Sequence, residues 1–213
     1  MKGKKLEHIN EEKDLGVIID NELKFHKQTA AAVKKANSSL GIIKKSFALL
    51  DETTLPLLYK PLVRTHLEYG NVIWGPFFKE DAKLVEKVQK RATKLVPELR
   101  NMAYEERLRK LNLPSLQHRR RRGDMIFTYK IMSGKVKLDP SEIFTMAKKT
   151  MRSHKYKIQK TKVNSTRKTN AFSNRIVHEW NILPSKIVTS KTTNEFKNSL
   201  DEHWRDEMFQ IPF

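Results

Sequence analysis

Four consecutive arginines, Arg119 to Arg122, are the most chemically pointed residues in this chain. A guanidinium is planar, permanently charged, and presents its N–H donors as a fork that fits a carboxylate or a phosphate. On a helix turning about 100° per residue, four in a row cannot share one face, so one or two must turn toward other segments. Two chemistries are open to them: internal pairing with acids such as Glu105, Glu106 and Asp124, or contact with phosphate. Three further groups of cations complete the candidate nucleic-acid-binding set. They are Lys87, Lys90, Arg91 and Lys94, then Lys148, Lys149, Arg152, Lys155, Lys157 and Lys160, and finally Arg175.

No catalytic constellation accompanies these cations. There is no Walker loop, HExxH or Gly-rich dinucleotide fingerprint. His8, His26, His66, His118, His154, His178 and His203 are scattered, with no two at the spacing of a helical ligand pair, so surface or hydrogen-bonded histidines are expected. The chain has no cysteine, which removes disulfides, a thiolate nucleophile and Cys-type zinc sites. No catalytic residue, metal site or cofactor is therefore assigned.

Composition sets the partner class. The 213 residues carry 43 Lys and Arg against 24 Asp and Glu, a formal net charge of +19. Such an imbalance repels itself on compaction and is commonly offset by a polyanion, so RNA, DNA or an RNA:DNA hybrid is the expected partner. An anionic membrane is the alternative, but no helix sets Trp and Leu opposite a lysine face over several turns. No run of apolar residues is long enough to span a bilayer. The N-terminus lacks the apolar core of a secretory signal, so a nuclear or cytoplasmic location is expected.

The elements that must position the cations read mainly as helices. Residues 6 to 20 predict two short strands around an acidic turn at Glu11 to Asp14, from the alternation of Leu15, Val17 and Ile19. From Lys24 to about Leu50, Phe25, Val33, Ala36, Leu40, Ile43 and Phe47 recur at helical steps, with Lys34, Lys35, Lys44 and Lys45 between them. Asp51 predicts a cap for the next segment, which Pro61 should kink or split and Gly70 end. Trp74 reads as packed. Asp81 to Val96 is the clearest helix, with Leu84, Val85, Val88, Ala92 and Leu95 on one stripe, stopped by Pro97. Tyr104 to Leu111 follows, with Glu105 and Glu106 placed to pair with Arg109 and Lys110. Ser115 predicts a cap for Leu116 to Ser133, ended by Gly134.

Beyond this lies the most polarised stretch. Ile143 to His178 contains no acid, and its cations supply just over half the net charge, so it predicts a connector with little core pattern, partly disordered when unbound. Lys155 to Gln159 alone alternates as a strand would, and Tyr156 reads as packed rather than base-stacking. Phe172, Ile176, Val177 and Trp180 then mark a helix before Pro184, and Thr193 predicts the cap of a last one carrying Phe196, Leu200 and Trp204. The expected fold is a mainly α helical bundle with a short N-terminal β-hairpin and a small C-terminal helical unit after a basic connector. Its divisions are 1–21, 22–140 and 141–213.

Several blocks resemble one family in its own order. They are Lys13 to Val17, Leu67-Glu68-Tyr69-Gly70 with Trp74, Glu86 to Lys94, Tyr104 to Leu108, Leu113 to Leu116, Arg119 to Asp124 with Tyr129-Lys130, and Phe172 to Arg175 followed by Trp180-Asn181 and Leu183-Pro184. Together they are similar to the C-terminal, thumb and post-polymerase part of a non-LTR (LINE-type, Jockey-like) retrotransposon reverse transcriptase. The resemblance implies that the hairpin closes a palm and that the thumb helices grip a template-primer. It also implies that the rest of a reverse transcriptase is a partner. In that family paired carboxylates of the palm hold two metal ions, and this chain contains no Asp-Asp dipeptide. The expected activity is accordingly nucleic-acid binding without catalysis. Two other readings stay open, a helical protein-interaction module and a retrotransposon remnant without a function.

Overall fold

The computed structural model describes residues 9–147 and 154–211. Strands β1 (Glu11–Asp14) and β2 (Val17–Asp20) pair antiparallel, Glu11 opposite Asp20. The acidic residues expected to form the turn are themselves a strand. The turn is Leu15-Gly16, with φ of 44° and 86°. A two-residue hairpin that follows the natural strand twist needs positive φ at both positions, which glycine supplies freely and Leu15 accepts at a cost. The Tyr69 hydroxyl secures the tip by donating to Leu15 O at 2.7 Å. β1 is wholly exposed, whereas Val17 of β2 is buried with Phe25, Ala32 and Trp74. The packed position expected for Trp74 is the one observed, with its indole N–H donating to Tyr69 O.

Helix α1 (His26–Ser46) begins two residues later than the periodicity predicted, because the Asp20 carboxylate gathers the backbone N–H groups of Glu22, Lys24 and Phe25 into a turn, and it ends at Ser46, short of Leu50. Asp51 accepts from Thr53 N and Thr54 N at 2.9 and 2.6 Å and so starts α2 (Thr54–Tyr59). Pro61 has no N–H to give, and there the chain widens into a π turn (Lys60–Arg64) before α3 (Thr65–Glu68). Helix α4 (Lys79–Thr93) packs on α1, and a single 3₁₀ turn (Pro97–Leu99) leads toward α5 (Tyr104–Lys110). In α6 (Leu116–Met132), Ser115 Oγ accepts from His118 N at 3.2 Å. At its other end Gly134, at φ 66°, allows Lys135 N to reach Lys130 O and Gly134 N to reach Ile131 O, the paired closure of a Schellman motif.

Short helices follow: α7 (Pro140–Ile143), capped by Asp139, then α8 (Thr166–Asn170), α9 (Phe172–Arg175), α10 (Val177–Ile182) and α11 (Ser185–Val188). The last full helix, α12 (Thr193–His203), is capped by Thr192 and not by Thr193, since it is the Thr192 hydroxyl that accepts from Glu195 N. A 3₁₀ turn (Arg205–Glu207) follows α12.

Besides the small cluster around Trp74, two larger apolar cores form among the described residues. The first joins α1 through α5 to Leu116, with Tyr59, Val63, Leu67, Val85, Val88 and Ala92 fully buried. The second gathers Met125, Tyr129 and Ile131 of α6 with Ile158, Trp180, Phe196, Leu200 and Trp204. The division between cores thus falls inside α6, upstream of the boundary placed at 140, and α6 acts as a shared beam. A return strap reinforces it: Ser115 N donates to Met208 O at 2.9 Å, and Phe209 and Ile211 pack on the first core. Among the described residues no helix is long and apolar enough to cross a membrane.

Residues 154–160 are docked on α10, and the strand-like alternation of Lys155 to Gln159 is realised as a single antiparallel bridge. Trp180 donates to Tyr156 O at 2.7 Å, Asn181 bonds both Ile158 N and Ile158 O, and Met146 and Ile158 form an antiparallel bridge. Lys148, Lys149 and Arg152 lie outside the described residues.

Candidate nucleic-acid interface

The arginine cluster turns inward. Arg119 grips Glu68 of α3 with both prongs, the longer at 2.9 Å. Arg121 reaches Glu179 of α10 at 2.7 Å and Glu207 at 2.9 Å, with its guanidinium 4.9 Å from the centre of the Trp204 ring. Arg122 holds Asp201 of α12 in a two-pronged pair, one contact at 2.7 Å. Arg175 takes Asp124 with two bonds of 2.9 Å and also donates to the carbonyls of Asn71 and Val72. Each fork is half-buried and occupied. Of the partners considered from sequence, Asp124 pairs with Arg175, not with its neighbours. Glu105 pairs with Arg109 at 3.8 Å, while Glu106 turns back to accept from Ala103 N at the start of α5. Lys110 instead approaches Glu52 at 4.0 Å.

Arg120 differs. Among the described residues it has no carboxylate within 4.0 Å and no hydrogen bond, and it borders a cavity of about 370 Å³ with Asn71, Lys79, Gln117 and Arg175. Burial pushes its pKa down, against the fields of Glu86, Glu68 and Asp124. Glu68 and Asp124 are already held by Arg119 and Arg175. Glu86 is held by neutral donors, the Tyr104 hydroxyl at 2.7 Å and Leu116 N at 3.0 Å.

That buried Glu86 belongs to a polar ladder which fixes how α2, α4, α5 and α6 meet. Tyr59 OH donates to Gln89 Oε1 at 2.9 Å, and Gln89 Nε2 donates to Pro114 O at 3.1 Å. Burial raises the pKa of Glu86, and the same desolvation raises that of Tyr104. Polar groups so placed are costly unless satisfied, so the ladder specifies one packing of these helices.

The opposite face of α4 is where free cations gather. Burying Val85, Val88, Gln89 and Ala92 leaves Lys83, Lys87, Lys90 and Lys94 on the solvent side, at steps of four, three and four residues. At about 1.5 Å per residue this row is roughly 16 Å long. Lys87, Lys90, Arg91 and Lys94 have no carboxylate within 4.0 Å among the described residues. All four border one open groove between α4 and α5, of about 980 Å³. Leu84, expected on the core stripe, is instead 43% exposed in this groove, because its position lies a quarter-turn from the buried face. Tyr104 and Ile211 supply further apolar surface, and the Lys90 ammonium stands 5.7 Å from the Tyr104 ring centre.

The remaining candidates stand elsewhere. Lys155 and Lys160 are exposed, the former with its ammonium 5.0 Å from the Tyr156 ring, and Lys157 is half-buried, its carbonyl accepting from Ala147 N beside the Met146–Ile158 bridge. Lys83, Arg109, Leu84 and Ile211 are groove residues that the sequence pattern does not single out as a site. Only Lys83 carries a usable signal, four residues before Lys87 on the same helical row. Among the described residues no three His, Asp or Glu side chains cluster to hold a metal ion. Comparison of the chain with family models, curated proteins and solved structures finds no match to any of them.

Proposed function

We propose that this chain holds nucleic acid by its sugar-phosphate backbone along the exposed face of α4, with little preference for base sequence. The observation that carries this reading is the contrast in partners. Lys87, Lys90, Arg91 and Lys94 stand together on one groove without a carboxylate within 4.0 Å among the described residues, whereas Arg119, Arg121, Arg122 and Arg175 are occupied within the fold. A row of unpaired ammonium groups at one per helical turn can neutralise successive phosphates, releasing their counterions. The net charge of +19 supplies the long-range attraction. The resemblance to the thumb part of a LINE-type reverse transcriptase agrees with this role, and under it the internal arginine pairs are what keep the thumb rigid.

The test is a filter-binding titration of the purified chain with a short oligonucleotide at several salt concentrations. Log K should fall linearly with log salt, by roughly 0.7 to 0.9 units per phosphate contacted. Binding that ignores salt would refute a backbone contact.

A further inference from the structure

The groove between α4 and α5 has unlike walls. The α4 wall carries Lys83, Lys87, Lys90, Arg91 and Lys94, with Glu80 spent on Lys83 at 3.0 Å. The α5 wall carries Glu105 and Glu106, with Arg109 already paired to Glu105. Between them the floor is apolar, formed by Leu84, Tyr104 and Ile211. The Tyr104 hydroxyl is committed to Glu86, so what this residue offers the groove is its ring.

We propose that this groove takes a single strand of RNA or DNA and discriminates against a duplex, a departure from the template-primer grip that the resemblance implies. The inference rests on the proposed nucleic-acid function and deepens it. One polyanionic strand can lay its phosphates along the lysine row while its unpaired bases cover the apolar floor, where an aromatic or aliphatic surface accepts any base. The α5 carboxylates then face base edges, which carry no charge. A duplex offers the groove no free base faces, because they are stacked inside it. Its second strand also brings phosphates to the α5 wall, where two carboxylates, Glu105 and Glu106, outnumber the one cation, Arg109, and the net charge is repulsive. A groove built for both strands would have an excess of cations on both walls, whereas here only the α4 wall has one.

The experiment is fluorescence anisotropy at fixed salt with the full chain, comparing a labelled 12-nucleotide RNA with the same RNA in a blunt hybrid duplex. The expected result is at least tenfold tighter binding of the single strand. Glu105→Gln, which removes a negative charge and frees Arg109, should narrow the ratio at least threefold by strengthening duplex binding. Leu84→Ser, at an exposed position, should lower the ratio from the other side by weakening the single strand. Equal or tighter duplex binding by the parent chain would overturn the inference and leave the nucleic-acid function standing. Failure of both ligands to bind would overturn both. An unchanged ratio in both variants would show that the unlike walls and the apolar floor do not discriminate.

Discussion

Arg175 and Asp124, 51 positions apart, share two hydrogen bonds of 2.9 Å, and the same guanidinium reaches the carbonyls of Asn71 and Val72. One side chain thus ties α9, α6 and the turn after α3 together. Both partners are largely out of water, so removing one leaves the other uncompensated. Arg175→Met is expected to cost about 3–5 kcal/mol in denaturant unfolding, and the paired change Arg175→Met with Asp124→Leu to recover part of that loss. A cost of the single change under about 1 kcal/mol would show the pair to be worth no more than a surface one.

His118 is buried at 2% exposure against Trp204, with neither ring nitrogen hydrogen-bonded, and burial pushes its pKa down to about 4. Arg121 and Arg122 push in the same direction, Asp201 and Glu207 against it. The unfolded chain therefore takes up this proton first. The stability His118 contributes is full above its ordinary pKa of 6.5 and is lost as pH falls toward 4, by up to about 3 kcal/mol. Comparing the pH dependence of unfolding in the parent and in His118→Phe isolates it. The variant should lose less stability over that window, and identical profiles would contradict the assignment.

Three glycines separate backbone conformation from space. Gly123 lies inside α6, and a Cβ added there would meet nothing within 4 Å, so Gly123→Ala should stabilise by about 0.5–1 kcal/mol. Gly134, at φ +66° with the same open space, should lose about 1 kcal/mol from backbone strain alone when changed to Ala. Gly70, at φ +70° and with Val17 Cγ2 3.1 Å from the added carbon, should lose about 2 kcal/mol or more on the same change. Thermal unfolding of the three variants gives the order directly, and any other order would contradict it.

Helix ends are the most legible features of the sequence, because capping is a local contract. Asp51, Ser115 and Gly134 each act on groups within a few positions of themselves. The hairpin is displaced by a few residues from its expected place, because β1 presents no apolar side chain and only the Leu15-Gly16 backbone identifies the turn. The arginine run is legible as a set of forks that must diverge, but its partners are not. Glu68, Glu179, Asp201 and Glu207 lie between 51 and 86 positions away, where the packing of α6 against α3, α10 and α12 decides which acid is in reach. Leu84 departs from its expected place for a related reason. Periodicity places a residue on a helix, whereas the width of the stripe that a neighbour covers is a property of the neighbour.

The most direct measurement is the salt dependence of single-strand binding by the triple variant Lys87→Gln, Lys90→Gln, Lys94→Gln. These side chains are exposed and unpaired with acids among the described residues, so the melting temperature should stay within about 2 °C of the parent. The slope of log K against log salt should become shallower by about 2, the sum of three lost phosphate contacts at roughly 0.7 each. A triple variant that binds with the parent's affinity and the parent's slope would place the backbone contact somewhere other than α4.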